Sequence, residues 1–422
     1  MRQRDDLRKL NYIADMNLAR VAWDENNLAR TRELLDKYRP RPSESDLRGF
    51  EWHYLNRCLH GDELIVKAHE GWVSAVTFMP DGKRLLTSGT DQPPQGMKFF
   101  EGATGQVKLW DVATGKQLRF HLNGLTTRLE RAILSPDGTH LAATSWDHAI
   151  RVWDLVTDEL VTLEGPAKYN AEGIRFSPDG MHLVSVHRPD NSPMDSLASI
   201  KIWDLSTRKA VLTLSDTLPY REEPTFSPDG KYLAAAVRDV CVVKVWDAAT
   251  GAELYSCKYA DGKGRVNSAT FSPDGKRLAA CGEKGIQIWD TATHEAVAMW
   301  RSDPGYGICL AFSPDGQRLA LGRIEGIVEV WDTGMGQKVH TFKGHSGNVR
   351  RLAFSPDGKR LVTGGADGSL RVWDMVGRRD IVLIGKPDDV LDFPDLSPDG
   401  QTLRTGRYWS SGKLAAVGRH IW

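Results

Sequence analysis

The chain has 422 residues, 41% of them hydrophobic and 26% charged, enough apolar material for a packed core in an ordinary soluble composition. Lys+Arg and Asp+Glu each number 55, for a formal net charge of zero, which speaks against a dedicated nucleic-acid binder. Cys58, Cys241, Cys257, Cys281 and Cys309 form no C-x-x-C pair, so neither a disulfide framework nor a zinc site is indicated; with no apolar run of signal-peptide or membrane-spanning kind, a cytoplasmic location is expected.

The N-terminal sixty residues read as helical. Leu7, Leu10, Ile13, Ala14 and Leu18 through Ala22 recur at helical spacing. Asn26-Asn27 breaks the run, and a second helix carries Leu28, Ala29, Leu34, Leu35 and Tyr38. Arg-Pro-Arg-Pro-Ser (39–43) is a stop, and Ser43 or Ser45 could cap a third helix holding Phe50, Trp52, Tyr54, Leu55 and Leu59. The stretch from Ala22 to Leu35 resembles one degenerate tetratricopeptide hairpin, which cannot bury its own apolar face without a neighbour.

From residue 61 onward the chain repeats. Ser-Pro-Asp-Gly begins at 135, 177, 227, 272, 313, 355 and 397, and Met79-Pro80-Asp81-Gly82 is a near copy. Trp-Asp pairs begin at Trp110, Trp153, Trp203, Trp246, Trp289, Trp331 and Trp373, and the eighth unit ends at Trp422. An apolar strand precedes each Pro, and Pro-Asp-Gly forms the turn because Pro presets φ and Gly accepts the left-handed conformation. A second strand, a polar turn, a third strand ending in Trp and a fourth strand follow. Four antiparallel strands per unit make one propeller blade.

These units resemble WD-repeat blades, and the fold expected is an all-β, eight-bladed WD-repeat β-propeller over 61–422, behind the short tetratricopeptide-like helical segment 1–60. A seven-bladed ring with one degenerate unit is the competing arrangement. Two units match the family's hydrogen-bonded tetrad in full: His69, Thr87, Asp91 and Trp110, and His345, Thr363, Asp367 and Trp373. The other units lack the loop His. The eighth unit has no fourth strand, and Glu63–Lys67 reads as a strand without a blade, so pairing the two is expected to close the last blade and remove two open edges. The layout, with Asp46-Leu-Arg-Gly-Phe-Glu-Trp-His-Tyr54 before the propeller, resembles the C-terminal region of bacterial Ser/Thr kinase–WD-repeat proteins. The chain itself shows no kinase motif.

No Walker loop, G-x-S-x-G or H-E-x-x-H is present, so no catalytic, cofactor or metal residue is assigned. Irregularity carries more information. From the strand-two Leu to the Trp, unit one needs 25 residues (Leu85 to Trp110), unit three 20 (Leu183 to Trp203) and unit eight 19 (Leu403 to Trp422). In WD-repeat proteins this loop lies on the top face. The three insertions would then share one face, with blades eight and one as neighbours. Met97, Phe99 and Phe100, Arg188 and Met194, and Arg407, Tyr408 and Trp409 lie on them, and Trp146 and His148 lie in the short turn of unit two. These are interface-type residues, which either bind a partner or fold back on the ring. Aligning the first strands places Glu130, Glu172 and Glu222 at one position, with Arg350 there in unit seven. That position is expected near the top of the channel, as an acidic sector for a basic peptide or as a solvated rim.

The resulting expectation is a non-catalytic protein- or peptide-binding scaffold using top-face loops, with no cofactor, no nucleic-acid partner and no membrane span. A regulatory or sensor module of a bacterial Ser/Thr kinase system is the alternative. A quinoprotein-like oxidoreductase is a remote one, because its repeat pattern differs.

Overall fold

A repeat folds into a blade when its turns are self-satisfied and its faces are apolar. A computed structural model shows how this chain meets both conditions. It describes residues 2–24, 27–39, 47–59, 62–91, 104–120, 122, 129–145, 147–166, 169–189, 198–218, 224–237, 240–262, 264–301, 306–376, 392–396, 402–408 and 414–421. The chain divides into two compact units, His60–Met375 and a second made of Met1–Leu59 with Val376–Trp422. This differs from the expected division at residue 60 alone.

Each described Ser-Pro-Asp-Gly turn closes on itself. In the seventh repeat Ser355 Oγ donates to Asp357 Oδ1 at 2.6 Å and accepts from Arg360 N at 2.9 Å, while Lys359 N donates to the same carboxylate at 3.1 Å. Gly358 takes φ +68°, which glycine adopts without a Cβ penalty. The Asp after each Trp serves a second turn: Asp154 Oδ1 accepts from Val156 N and Thr157 N at 2.8 and 2.9 Å. The periodic aspartates are thus turn acceptors.

Seven four-stranded blades form from these repeats. Their first strands are Val73–Phe78, Leu129–Leu134, Tyr169–Phe176, Thr225–Phe226, Val266–Phe271, Gly307–Phe312 and Val349–Phe354. Every blade sets its strand-two Leu opposite its Trp: Leu85 faces Trp110, Leu141 Trp153, Leu183 Trp203, Leu233 Trp246, Leu278 Trp289, Leu319 Trp331 and Leu361 Trp373. Neighbouring blades share seven apolar clusters with one common plan. The Trp of one blade packs on two positions of the blade before it, the residue after the Leu and the residue three before the Trp. Trp373 thus packs with Ala320 and Val328, and Trp203 with Ala142 and Ile150.

The ring has seven blades, not eight. Trp110 of blade one packs with Val362 and Leu370 of blade seven, and Leu64 and Val66 join that cluster. The strand Asp62–Lys67 pairs with Ser369–Asp374 of the seventh repeat, whereas the sequence reading paired it with the eighth. A Cβ on Gly364 would come within 2.5 Å of Val73 Cγ1, as one on Gly322 would come within 2.8 Å of Val349 Cγ1. The closing seam is therefore built like an internal one.

The eighth repeat instead forms a separate three-stranded sheet, Asp392–Leu396, Thr402–Tyr408 and Leu414–Ile421, within the other unit. Its register has slipped: Leu403 faces His420, two residues short of Trp422. The physical reason lies at the two seam positions. In the ring they are Leu86, Ala142, Val184, Ala234, Ala279, Ala320 and Val362, and Val107, Ile150, Ile200, Val243, Ile286, Val328 and Leu370, none more than 1% exposed except the half-buried Val107. The eighth repeat places Arg404 and Arg419 there. Under Trp110 these would be two buried, like-charged guanidiniums, a cost of at least several kcal/mol.

Three helices belong to the second unit: α1 (Arg2–Asp24), α2 (Leu28–Asp36) and α3 (Phe50–Leu59). Asn27 caps α2, its side chain accepting from Arg30 N at 3.2 Å. The core stripe of α1 is Tyr12, Met16, Ala19 and Trp23, packed with Leu34, Leu35, Trp52 and Leu55. Trp52 Nε1 donates to Leu35 O at 2.8 Å, and Gly49 N to the Tyr12 hydroxyl at 2.7 Å. Of the α1 residues expected from the sequence, Ala19 and Ala22 are buried and the larger apolar ones are not. Leu10, Ile13, Leu18 and Val21 are all more than half exposed, because the face with Ala19 allows close approach and the face with the rings supplies the contact area.

Ring closure at blade seven has a discriminating test. Gly364→Val overpacks the seam against Val73 and is expected to cost about 1–3 kcal/mol in urea unfolding followed by tryptophan fluorescence. Gly406→Val, at the matching position of the eighth repeat, is expected to stay within about 0.5 kcal/mol of the parent. The reverse order of the two would place the eighth repeat in the ring.

Candidate binding face of the propeller

Buried polar side chains fix the loops that lead into the first strands. In blade one His69 Nε2 lies 3.0 Å from Thr87 Oγ1, which accepts from Trp110 Nε1 at 2.9 Å. His69 Nδ1 is 3.4 Å from Asp91, and Lys108 Nζ approaches the same carboxylate at 2.6 Å. In blade seven His345 Nε2 lies 2.8 Å from Thr363 Oγ1, Trp373 Nε1 donates to that oxygen at 2.9 Å, and His345 Nδ1 is 3.1 Å from Asp367. Asp367 also accepts from Ser346 N at 2.9 Å and from the Ser369 hydroxyl at 2.7 Å. Burial alone would raise the Asp367 carboxyl; the His345 contact outweighs it and holds the group well below its ordinary range. Each carboxylate thus ties the loop before a first strand to the end of a second strand, and both lie at one end of the ring.

Two further blades fill the same space differently. Blade three has Pro166 after Gly165 where blade seven has His345 after Gly344, but His187 enters from its second strand. Its Nε2 lies 2.7 Å from Ser185 Oγ, which accepts from Trp203 Nε1 at 2.7 Å. The available signal was the i, i+2 spacing of Ser185 and His187, which puts both on one strand face. Blade six has Leu321 in the Thr position; there Trp331 stacks on Trp300 at 5.6 Å, and buried Arg323 pairs with buried Glu329 at 2.9 Å.

The expected surface residues distribute unevenly. Met97, Phe99, Phe100, Trp146, Met194, Trp409 and Glu222 lie outside the described residues. Arg188 is only 4% exposed, within His182–Pro189. His148 is half-buried at φ +69° in the turn before Ala149. Arg407 and Tyr408 belong to Thr402–Tyr408, in a sheet that is not one of the seven blades, and blade one meets blade seven rather than the expected blade eight.

Glu130 and Glu172 fall in first strands, with side chains outside the described residues. Their position is a β-bulge in six blades, at Ser74, Glu130, Glu172, Asn267, Ile308 and Arg350. A bulge re-aims the side chain: Ser74 Oγ lies 3.0 Å from Ser88 Oγ of its own blade, whereas Asn267 and Arg350 reach the next blade. Asn267 Nδ2 donates to Gly307 O at 2.5 Å. The Arg350 guanidinium lies over the Trp72 ring at 4.9 Å. Tyr306 OH adds a 3.2 Å bond to Asn267 Oδ1. Trp72 and Tyr306 directly precede first strands, and sequence reasoning passed over both. The signal was an aromatic residue outside the Trp-Asp slot, just before a first strand.

Two measurements probe the network. Thr363→Val leaves His345 Nε2 and Trp373 Nε1 without their shared partner and is expected to cost about 2–4 kcal/mol in chemical unfolding. Burial pushes His69 and His187 down to about 4, below the ordinary unfolded value of about 6.5. The unfolded chain therefore binds these protons first, and stability present above about pH 6.5 falls as pH drops toward 4, by about 3 kcal/mol per histidine. His187→Gln is expected to flatten the unfolding free energy against pH between about pH 6.5 and 4.5; an unchanged slope would refute the assignment.

The family described as WD domain, G-beta repeat matches residues 62–111, 116–154, 254–290, 301–332 and 336–374. Human cilia- and flagella-associated protein 52 is 36% identical over 111 residues, 26% of this chain and 16% of that protein. Nuclear distribution protein PAC1-1 of Uncinocarpus reesii is 31% identical over 137 residues, 29% of this chain and 30% of that protein. Lissencephaly-1 homolog 1 of Paramecium tetraurelia is 30% identical over 94 residues, 21% of this chain and 23% of that protein. The matches thus span less than a third of each relative's length. Among the described residues no helix is long and apolar enough to cross a membrane. With five repeat matches, seven blades and the Trp-centred seams in agreement, the chain belongs to the WD-repeat β-propeller proteins.

Proposed function

We propose that this chain is a non-catalytic scaffold that binds a protein or peptide across the ring end bearing the tetrad loops. The observation that carries the reading is the Arg350–Trp72 stack at the seam of blades seven and one. Both residues are half-buried, so each keeps surface for a partner while its neighbour holds it in place. Tyr306, anchored on Asn267, adds a third contact residue from blade six. Trp, Tyr and Arg dominate binding hot spots, and a surface fixed before binding loses less entropy on association. Met97, Phe99, Phe100 and Met194, outside the described residues, are further candidate contacts in this reading.

The test is affinity capture with mass spectrometry and measured affinity for whatever is retained, comparing the parent with Trp72→Ala/Arg350→Ala and Phe99→Ala/Phe100→Ala. Unchanged thermal unfolding is required first. A partner bound by the parent and weakened about 30-fold by the first pair, as for a 2 kcal/mol hot spot, supports the proposal. Equal affinity for both double variants overturns it.

A further inference from the structure

The helical core covers one face of α1 and leaves the opposite face exposed. Tyr12, Met16, Ala19 and Trp23 point into that core, whereas Leu10, Ile13, Leu18 and Val21 are 64%, 56%, 51% and 52% exposed. Ala14 and Asn17, between them, are exposed as well. At about 100° per residue these six make one continuous face. Leu10, Ala14 and Leu18 form one i, i+4 row, and Ile13, Asn17 and Val21 form the row beside it. On the blades, exposed large apolar side chains are scattered, as at Val156, Val211 and Val297, which is ordinary for a protein surface. Four on one short helix face mark a contact surface.

The order of residues on this face points to what covers it. Each row runs large, then small or polar, then large, so the face has the same pattern in both directions along the helix. A two-fold contact between identical chains requires a patch that complements itself; a partner of other sequence gains nothing from such symmetry. In an antiparallel copy one register serves all six positions. When Leu10 stands at the level of Val21 of the copy, Ile13 stands at the level of Leu18 and Ala14 at the level of Asn17. Large side chains then share the outer turns of the contact, and Ala14 lets the helices approach at its centre. The two Asn17 residues lie about 4.5 Å apart along the axis, within reach of an amide–amide hydrogen bond. A single polar residue of this kind fixes register in paired helices. Arg20 is exposed beside the face, and this register keeps the two copies of it about 13 Å apart along the axis. Antiparallel helix dipoles attract rather than repel.

We infer that α1 docks, antiparallel, on α1 of a second copy of this chain. The contact covers about three helical turns, less than a standard-size interface, so the dimer is a weak one. It joins two propellers in one particle, and a partner with two matching sites is then held more tightly than by either propeller alone. The contact belongs to the helical unit and the proposed binding patch to the blades, so the two readings fail independently.

Sedimentation equilibrium of the full chain from about 5 to 500 µM tests it, a range suited to weak contacts. The parent is expected to pass from monomer to dimer across that range. Leu18→Glu is expected to weaken the dimer at least about tenfold, while Val156→Glu, at an exposed valine of blade two, leaves it unchanged. Should circular dichroism show that Leu18→Glu lowers the helix content, Val21→Lys reads the other row, with the same expected loss. Under mild oxidation, Leu10→Cys chains mixed with Val21→Cys chains are expected to cross-link to each other. Leu10→Cys chains that cross-link among themselves as readily overturn the antiparallel assignment. A parent that stays monomeric up to about 500 µM overturns the inference. So does a dimer that responds no more to Leu18→Glu than to Val156→Glu.

Discussion

A propeller blade has no solvent face. Both sides of its sheet are covered by neighbours, and here each seam is filled by one Trp lying on two apolar side chains of the preceding blade. Membership of the ring is therefore decided at two positions per repeat, not by the turn motifs that make the repeat visible. Turns report that a strand reverses; they do not report what its faces will touch. The eighth repeat keeps Ser-Pro-Asp-Gly and the final Trp yet carries Arg404 and Arg419 at the seam positions. Hydrophobic burial at one seam contributes several kcal/mol, and two buried guanidiniums reverse its sign.

The seam that closes the ring also carries several polar bonds. The two complete tetrads belong to blades one and seven, the blades that meet there. Gly368 O accepts from both Ala68 N and His69 N, at 3.0 and 3.1 Å. Lys67 Nζ donates to Asp367 O at 3.0 Å, and Lys108 Nζ to Ala68 O at 2.9 Å. The carbonyl side of the blade-seven turn thus holds the loop that presents His69. This is where the need is greatest, since the closing strand joins a sheet whose other strands lie some 300 residues away in sequence and long-loop closure has an entropic cost. Internal seams join consecutive repeats and manage with substitutes, His187 in blade three or the Arg323–Glu329 pair in blade six.

Architecture, blade grammar and the tetrad residues were legible because they rest on local chemistry: Pro and Gly in turns, alternation in strands, His, Thr and Trp at fixed offsets. Blade number was not read correctly, although the information was present. Comparing column by column inside the strands shows Val362 against Arg404 and Leu370 against Arg419, whereas counting turns shows eight of a kind. The α1 stripe failed for a related reason. Leu10, Ile13 and Leu18 look like a core by hydrophobicity, but the face with Tyr12, Met16, Ala19 and Trp23 offers rings and a small contact point together. His187, Trp72 and Tyr306 were missed because each lies outside the family's motif positions.

The bulge in the first strands explains how one short segment serves two surfaces. Without it, strict alternation would send the fourth residue before the closing position to the same side as the second. The extra residue breaks that parity. Arg350 lies over Trp72 of the next blade, while its neighbour Arg351 lines the channel. Position 130 is the bulge before channel-lining Arg131 in the same way. Adjacent residues can then change independently, one setting the charge of the channel and the other the contacts between blades at the ring's end. A closed ring of stiff strands fixes both surfaces at once.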